Sequence, residues 1–536
     1  MRPSRLLIAP AAAFLLGAAA PPAQRFQPSA EAAARVRADV EFLADDLLEG
    51  RGAGKRGHEV AALYVATQFR GIGLQPGGEA KGWFQRVPFR RAQHQGTPTI
   101  RLNGRGLRWG TDVAIRPSVT EAVRQIETPL VFVGWGITDP RHGFADYQGL
   151  DVRGKTVVAL GGTPAGLPSE VAAHLGQQKH RFAAAAGAVG LIEIAPGARN
   201  GVESTARRAT TDWVDARGQA GSTPAGLRFR GTISQAAGEG LFSRAPTSLG
   251  AIVAAIRQRT PVRGFALPSR LSLDARSTWE EFSSPAVIGI LPGADRRLAS
   301  EHVMLMGHLD HLGMKADAKP GEDAIYNGAL DNAAGVATML EAAREFVRSG
   351  KRPKRSVVFI AHTGEELGLL GADYYAAHPT IPIDRIVAAV DLDMPVPLYD
   401  FTDVVAFGAD HSTVARTVAQ AGRSMGIGVS PDPMPEQGIF TRSDHYPFVL
   451  RGVPAILMFT GYGNGGKPIW DKFFAQNYHQ VSDDLKQPIN WVAAARYAEL
   501  NYRIARALAD DPQRPRWYRG SYFGEIVAPG QVKAVR

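Results

Sequence analysis

Along the N-terminal part of the chain, apolar positions recur at helical spacing. In AEAAARVRADVEFLADDLLEGRGAG they run to a glycine-rich break, and in HEVAALYVATQFRGIGL to Gly71 and Gly73. This pattern predicts two amphipathic helices. From about residue 115 to 285 the texture changes. Short β-type runs, PLVFVGWGI, KTVVALGG and VGLIEIAP, stand between glycine- and proline-rich turns, with one helical stretch, VAAHLGQQKHRFAAAAGA, among them. The pattern predicts a smaller inserted domain with its own sheet. From PAVIGILPG onward, strand and helix patterns alternate. HVMLMG, SVVFIAH, IVAAVDLDM and AILMFTG read as strands, NAAGVATMLEAAREFVRSG and LLGADYYAAH as helices, and WVAAARYAELNYRIARALADD as a closing helix. Continuously apolar strands alternating with helices predict an α/β fold, a mostly parallel, doubly wound sheet flanked by helices. In such sheets functional groups gather just past the carboxyl ends of the strands.

A length of 536 residues accommodates two or three domains, and 45% hydrophobic with 21% charged residues is an ordinary globular composition. The formal charge of +10 comes from scattered Lys and Arg, with no dense basic run beside aromatics. It describes a solvated basic surface and gives no nucleic-acid site. The chain has no cysteine, which excludes disulfides, thiolate metal sites and cysteine nucleophiles. The opening MRPSRLLIAPAAAFLLGAAAPPAQ has Arg2 and Arg5, an apolar run and small residues at Ala18–Ala20. It reads as a signal peptide over 1–23 and predicts an exported protein, periplasmic or secreted from a bacterial envelope. No later segment is apolar enough to span a bilayer. The sequence specifies no oligomeric state.

The strand ends carry the chemistry. HVMLMG runs into His308, Asp310 and His311, and YNGALDNAAG presents Asp331 before a helix. SVVFIAH runs into Glu365 and Glu366, IVAAVDLDM ends at Asp391 and Asp393, and NYHQVSDD brings His479. Singly, His308 reads as a core histidine, Asp331 as a helix N-cap, Glu366 as a surface charge and Asp393 as a turn residue. As a set they are not independent. Carboxylates crowded into one crevice repel and are driven toward protonation, and divalent metal relieves this. Histidine with carboxylate and no thiolate suits zinc, and two metals bridged by one carboxylate can activate a water. His311, His362, Asp391 and His411 are secondary candidates: His311 follows the Asp310 turn as a structural residue, and His362 caps its strand.

GHLDHLG, NGALDNAAG, EELGLLG, DLDM, RSDHYPF and YHQVSDD, in this order over about 285–510, resemble metallopeptidase family 28. That family contains di-zinc bacterial leucyl aminopeptidases and glutamate carboxypeptidase II. Residues 30–90 resemble the N-terminal part of the same catalytic domain. The middle segment, with LVFVGWGI, GKTVVAL and AAGAVGLIEI, is similar to a protease-associated domain. The resemblance divides the chain into 24–114 and 285–511 as a zinc-peptidase catalytic domain, 115–284 as the insert and 512–536 as a tail.

It also implies roles. His308 and Asp393 would hold one zinc, Glu366 and His479 the other, and Asp331 would bridge them, two zinc ions per chain. Asp310 would orient the His308 ring. Glu365 would be the general base toward a zinc-bound water, so that the adjacent Glu365–Glu366 pair serves two roles. Many relatives have Asp where this chain has Leu330. The position of a tyrosine that acts on the tetrahedral intermediate in one relative is Phe440 here, whereas Tyr478 matches the corresponding tyrosine of glutamate carboxypeptidase II and would be the oxyanion donor. The implied activity is an aminopeptidase acting on peptides, with carboxypeptidase or dipeptidase as alternatives. The complete ligand set argues against an inactive binding protein of the transferrin-receptor kind. The EE pair and the insert argue against a glutaminyl cyclase.

Overall fold

The computed structural model describes residues 25–195, 200–258 and 260–536; the signal peptide read at 1–23 lies outside the described residues. Two sheets share one strand, Phe265–Leu291, which is 27 residues long. Its first half pairs with strands Thr99–Leu102 and Val123–Phe132. Its second half pairs with Phe84–His94 and Ser356–His362.

The larger sheet has a parallel centre. Its strands Ser356–His362, His302–His308, Ile386–Asp391 and Ala455–Thr460 run side by side in that order, all parallel. These four strands are buried almost throughout, as their unbroken apolar runs require. Antiparallel pairings flank the centre: Phe265–Leu291, followed by Phe84–His94 paired antiparallel to it, on one side, and Asp403–Phe407 on the other. The N-terminal helix Ala30–Leu43, capped by Ser29, packs against helices Ala334–Arg348 and Trp491–Asp510. The amphipathic N-terminal segment thus covers the sheet built by the C-terminal half.

The smaller sheet belongs to the insert. Strands Val123–Phe132, Thr156–Leu160, Gly190–Ile194 and Phe229–Ile233 lie parallel in that order, and Val113–Ile115 closes one edge antiparallel. This sheet starts with Thr99–Leu102, upstream of residue 115. Strand Thr210–Trp213 leaves it to pair with Phe84–His94 of the larger sheet. Helix Ser169–Ala185 of the insert leans on the unit built around the larger sheet. There Glu170 meets His411 at 2.8 Å, His174 Nδ1 meets the Tyr446 hydroxyl at 2.6 Å, and the Gln177 amide donates to Thr441. The C-terminal segment also packs: Trp517 is buried and its indole donates to the Gly452 carbonyl at 3.0 Å. Among the described residues no helix is long and apolar enough to cross a membrane.

Burial favours the neutral form of His174, His180 and His362, among other histidines. It lowers His174 to about 4, His362 to about 4 and, with Arg230 and Arg181 adding, His180 to about 3, against an ordinary value of 6.5. Unfolded, each takes up a proton as pH falls through 6.5; folded, none does until the lower value. Their contribution to stability is complete above pH 6.5 and is lost as pH falls from there toward 4. The Tm is expected to fall over that window, and His174→Gln to make the fall shallower.

Candidate metal centre

The parallel centre delivers its polar residues to one edge. His308 and His362 end adjacent strands in register, and Met306 is in register with Asp391. Three turns then bring Asp310, Glu365 and Asp393 beyond the strand ends. Asp331 arrives from the turn Ala329–Ala333 that leads into helix Ala334–Arg348. Asn332 ties that turn to its neighbour: its amide donates to the Leu392 carbonyl at 3.0 Å, and its oxygen accepts from the Gly335 and Met394 amides. A Cβ at Gly335 would lie 1.9 Å from the Leu392 carbonyl oxygen, so only glycine allows this approach. His479 sits at φ 57°, a region that non-glycine residues keep mostly at functional sites.

The side chains converge on Asp331. His308 Nε2 lies 3.2 Å from Asp331 Oδ1 and 3.0 Å from Asp393 Oδ1. His479 Nε2 lies 3.3 Å from Asp331 Oδ2 and 3.3 Å from Glu366 Oε2. His311 joins the second group, its Nδ1 2.6 Å from Glu366 Oε1 and 4.0 Å from Asp331 Oδ2. Among the described residues, His308, Asp331 and Asp393 form one set with donor atoms within 4.8 Å of one another, and His311, Asp331 and Glu366 form a second. Asp331 belongs to both. Both His311 nitrogens, Asp331 Oδ2 and Glu366 Oε1 are buried without a hydrogen-bond partner. Buried polar atoms left unpaired are costly, and here they point at common centres.

The charges agree with this. Burial raises the Asp331 carboxyl, but the adjacent His308 and His479 imidazoles outweigh it and hold the group well below its ordinary value. Burial, then the neighbouring Asp331, pushes Glu366 up to about 8. Burial raises Glu365 far above the carboxylate range; His308 opposes this, and Glu366 and Asp393 add to it. Burial also raises Asp393 and Asp444. So many carboxyls held above their usual values mark a site short of positive charge. Zinc fits the donors: imidazole and carboxylate, no thiolate, one carboxylate between two sets.

Asp310 meets the His308 ring through its main chain. Its main-chain carbonyl, 3.0 Å from His308 Nδ1, holds the imidazole, while its carboxylate accepts from the Glu365 backbone N–H at 3.2 Å. The carboxylate thereby positions the turn that carries Glu365. Tyr478 lines the same cavity as Glu365, Asp331 and Asp393, with its ring stacked on His479 at 3.8 Å. Phe440 is not on that wall; it packs among His411, His445 and Phe523. Of the secondary candidates, His311 enters the cluster. Asp391 supports it, accepting from the Ser443 hydroxyl at 2.8 Å and the His445 amide at 3.1 Å. His362 is buried against Tyr375 and Phe448, and His411 serves the contact with the insert.

Sequence reasoning missed three contributors. The Ser443 hydroxyl lies 2.8 Å from carboxylate oxygens of both Asp391 and Asp393. Asp483 accepts from the Leu330 and Asp331 amides, each at 3.0 Å, and so holds the bridging turn. Both lie in the quoted RSDHYPF and YHQVSDD stretches, which was the available signal. Arg51 had none. Fully buried, it donates to the main-chain carbonyls of Leu309, Leu43, Asn327 and Gly328, lacing the loops of Asp310 and Asp331 to the N-terminal segment. Burial lowers its pKa to about 10, and Asp483, Asp331, Asp310 and Glu366 resist the change. Arg51→Met is expected to cost on the order of 3–5 kcal/mol, because it strands those carbonyls and removes a buried countercharge. Denaturant unfolding checks this.

Residues 286–505 match the sequence model described as Peptidase family M28. Leupeptin-inactivating enzyme 1 of Streptomyces exfoliatus is 32% identical over 228 residues, 39% of this chain and 45% of that protein. A probable zinc metalloprotease of Pyrenophora tritici-repentis is 45% identical over 67 residues, 12% of this chain and 15% of that protein. The chain therefore spans less than half the length of these relatives. Among solved structures, an aminopeptidase from Aneurinibacillus sp. strain AM-1 matches with a TM-score of 0.49 and 21% identity over 90% of this chain and 95% of that one. A zinc aminopeptidase from Bacillus subtilis matches with 0.44 and 18% over 89% and 95%.

Proposed function

From the match of residues 286–505 to the model of peptidase family M28, we propose that this chain is an exported di-zinc aminopeptidase of that family that removes N-terminal residues from peptides. The observation that carries the reading is Asp331, which lies between two sets of donors in a crevice whose wall also holds Glu365. His308, Asp331 and Asp393 would hold one zinc, and Asp331, Glu366 and His479 the other. Bound there, zinc would polarise the scissile carbonyl and lower the pKa of a water.

The chain's own residues supply the proton transfers. A Glu365 carboxylate oxygen takes a proton from the attacking water and returns it to the leaving amine nitrogen. The Asp310 carboxylate positions Glu365 through its backbone N–H. The Tyr478 hydroxyl donates to the substrate oxygen as it gains charge. Tyr478→Phe is expected to lower kcat by about a hundredfold with little change in zinc content. A kcat near the wild-type value would remove Tyr478 from the mechanism.

The test pairs zinc analysis with hydrolysis of aminoacyl-4-nitroanilides and of N-blocked peptides. Close to two zinc ions per chain and chelator-sensitive cleavage of free-amine substrates alone support the proposal. Cleavage of blocked peptides from the carboxyl end would replace it with a carboxypeptidase. No zinc uptake after reconstitution would overturn the site. The exported location rests on the sequence pattern of residues 1–23 and is tested by fractionating the producing cells.

A further inference from the structure

The insert has a second cavity, of about 270 Å³, with a cationic wall. Strands Val113–Ile115 and Phe229–Ile233 are antiparallel, and their register carries on to set Arg116 directly opposite Arg230; the Arg116 amide donates to the Arg230 carbonyl at 2.9 Å. Like charges directly opposite one another destabilise a sheet. Two acids act on this pair, Glu193 on both and Asp212 on Arg230, and each is shared with other donors. Glu193, the acid on the cavity wall, is engaged by Lys179 at 3.1 Å. Asp212, the acid that acts most on Arg230, also accepts from the Ser222 amide and hydroxyl. Neither guanidinium has a hydrogen-bond acceptor among the described residues.

The rest of the wall has the same character. His180 Nε2 is buried without a partner. Burial, with Arg116 adding, lowers Arg230 to about 10. Arg116 is exposed at the mouth and Arg230 is half-buried behind it, so the cavity can be entered. Guanidinium forks match the oxygens of carboxylate and phosphate groups, and such charge-assisted pairs are strong when partly desolvated.

We propose that this cavity binds an oxyanion, with the Arg116 and Arg230 guanidiniums as its donors. The location ties it to the cleft. Gln177 lines the cavity and donates to Thr441 Oγ1 at 3.1 Å, and Ser443, two residues further on, lines the candidate metal centre. Two sources offer this chemistry: a carboxylate on a peptide that extends from the cleft, and a free inorganic oxyanion such as phosphate.

The experiment uses the full zinc-loaded chain, with Arg116→Met and Arg230→Met beside it. In the first arm, inorganic phosphate is titrated at constant ionic strength and followed by calorimetry and by Tm. A saturable wild-type component weakened about tenfold or more in the variants is expected. In the second arm, KM is measured for a peptide with a free C-terminal carboxylate and for its amide. A rise in KM for the acid alone, with kcat unchanged, identifies the peptide carboxylate as the ligand. Loss of phosphate binding without that rise identifies a free oxyanion. Phosphate binding and both KM values unchanged in the variants overturn the proposal. Arg116 is exposed, so its variant keeps the test decisive if Arg230→Met does not fold. The phosphate arm stands even if the chain proves to hydrolyse no peptide.

Discussion

Glu365→Gln is expected to lower kcat by about a thousandfold while zinc content and Tm stay near wild type. Glutamine keeps the shape of the side chain and the backbone N–H that the Asp310 carboxylate accepts from. It loses only the ability to carry the proton. Glu365 is not among the residues whose donor atoms cluster with Asp331, so its removal should leave both sets intact. Zinc analysis, thermal melting and saturation kinetics on one preparation separate these effects. A kcat within tenfold of wild type would remove Glu365 as the base, and a loss of zinc would show that it is a ligand.

Asp331→Asn is expected to abolish activity and to weaken zinc binding at both positions, by more than about a hundredfold. Asp331 touches His308 through one oxygen and His479 through the other. No other carboxylate in the site belongs to both sets. Asp393→Asn makes the contrast, because Asp393 meets His308 alone of the two imidazoles. That variant should retain one zinc position. The asymmetry between the two variants, read by chelator competition, tests the bridge directly. Two zinc ions held by Asp331→Asn with wild-type affinity would contradict the arrangement.

What was legible in the sequence follows from locality. The central strands could be read because a strand buried on both faces must be continuously apolar, and the residue that ends each run is then exposed to chemistry. His308, Glu365, Glu366 and Asp393 were found that way. Asp331 and His479 lie on loops; they were picked out as a carboxylate before a helix and an imidazole after the last strand, and the resemblance supplied their roles. Phe265–Leu291 was not seen as one strand because its burial changes along its length. The first half alternates, with one face on the insert core, whereas AVIGIL is apolar throughout; periodicity alone divides it in two. Arg51 escaped because its acceptors lie on Leu43, Leu309, Asn327 and Gly328, and no short window holds them together. His311 was read only as a secondary, structural candidate, because its ring direction, which sets it beside Asp331 and Glu366, is not legible in the sequence.

The join between the two sheets sets the mechanics of the whole chain. A hinge requires a place where few bonds cross. Here the chain enters the insert along Phe84–His94 and returns along the second half of Phe265–Leu291, and residues 277–287 pair with residues 84–94 over eleven successive positions. The returning strand is itself bonded to Ser356–His362, the strand that leads into Glu365 and Glu366. The insert is therefore joined to the strand that leads into the Glu365–Glu366 turn by a continuously paired ribbon.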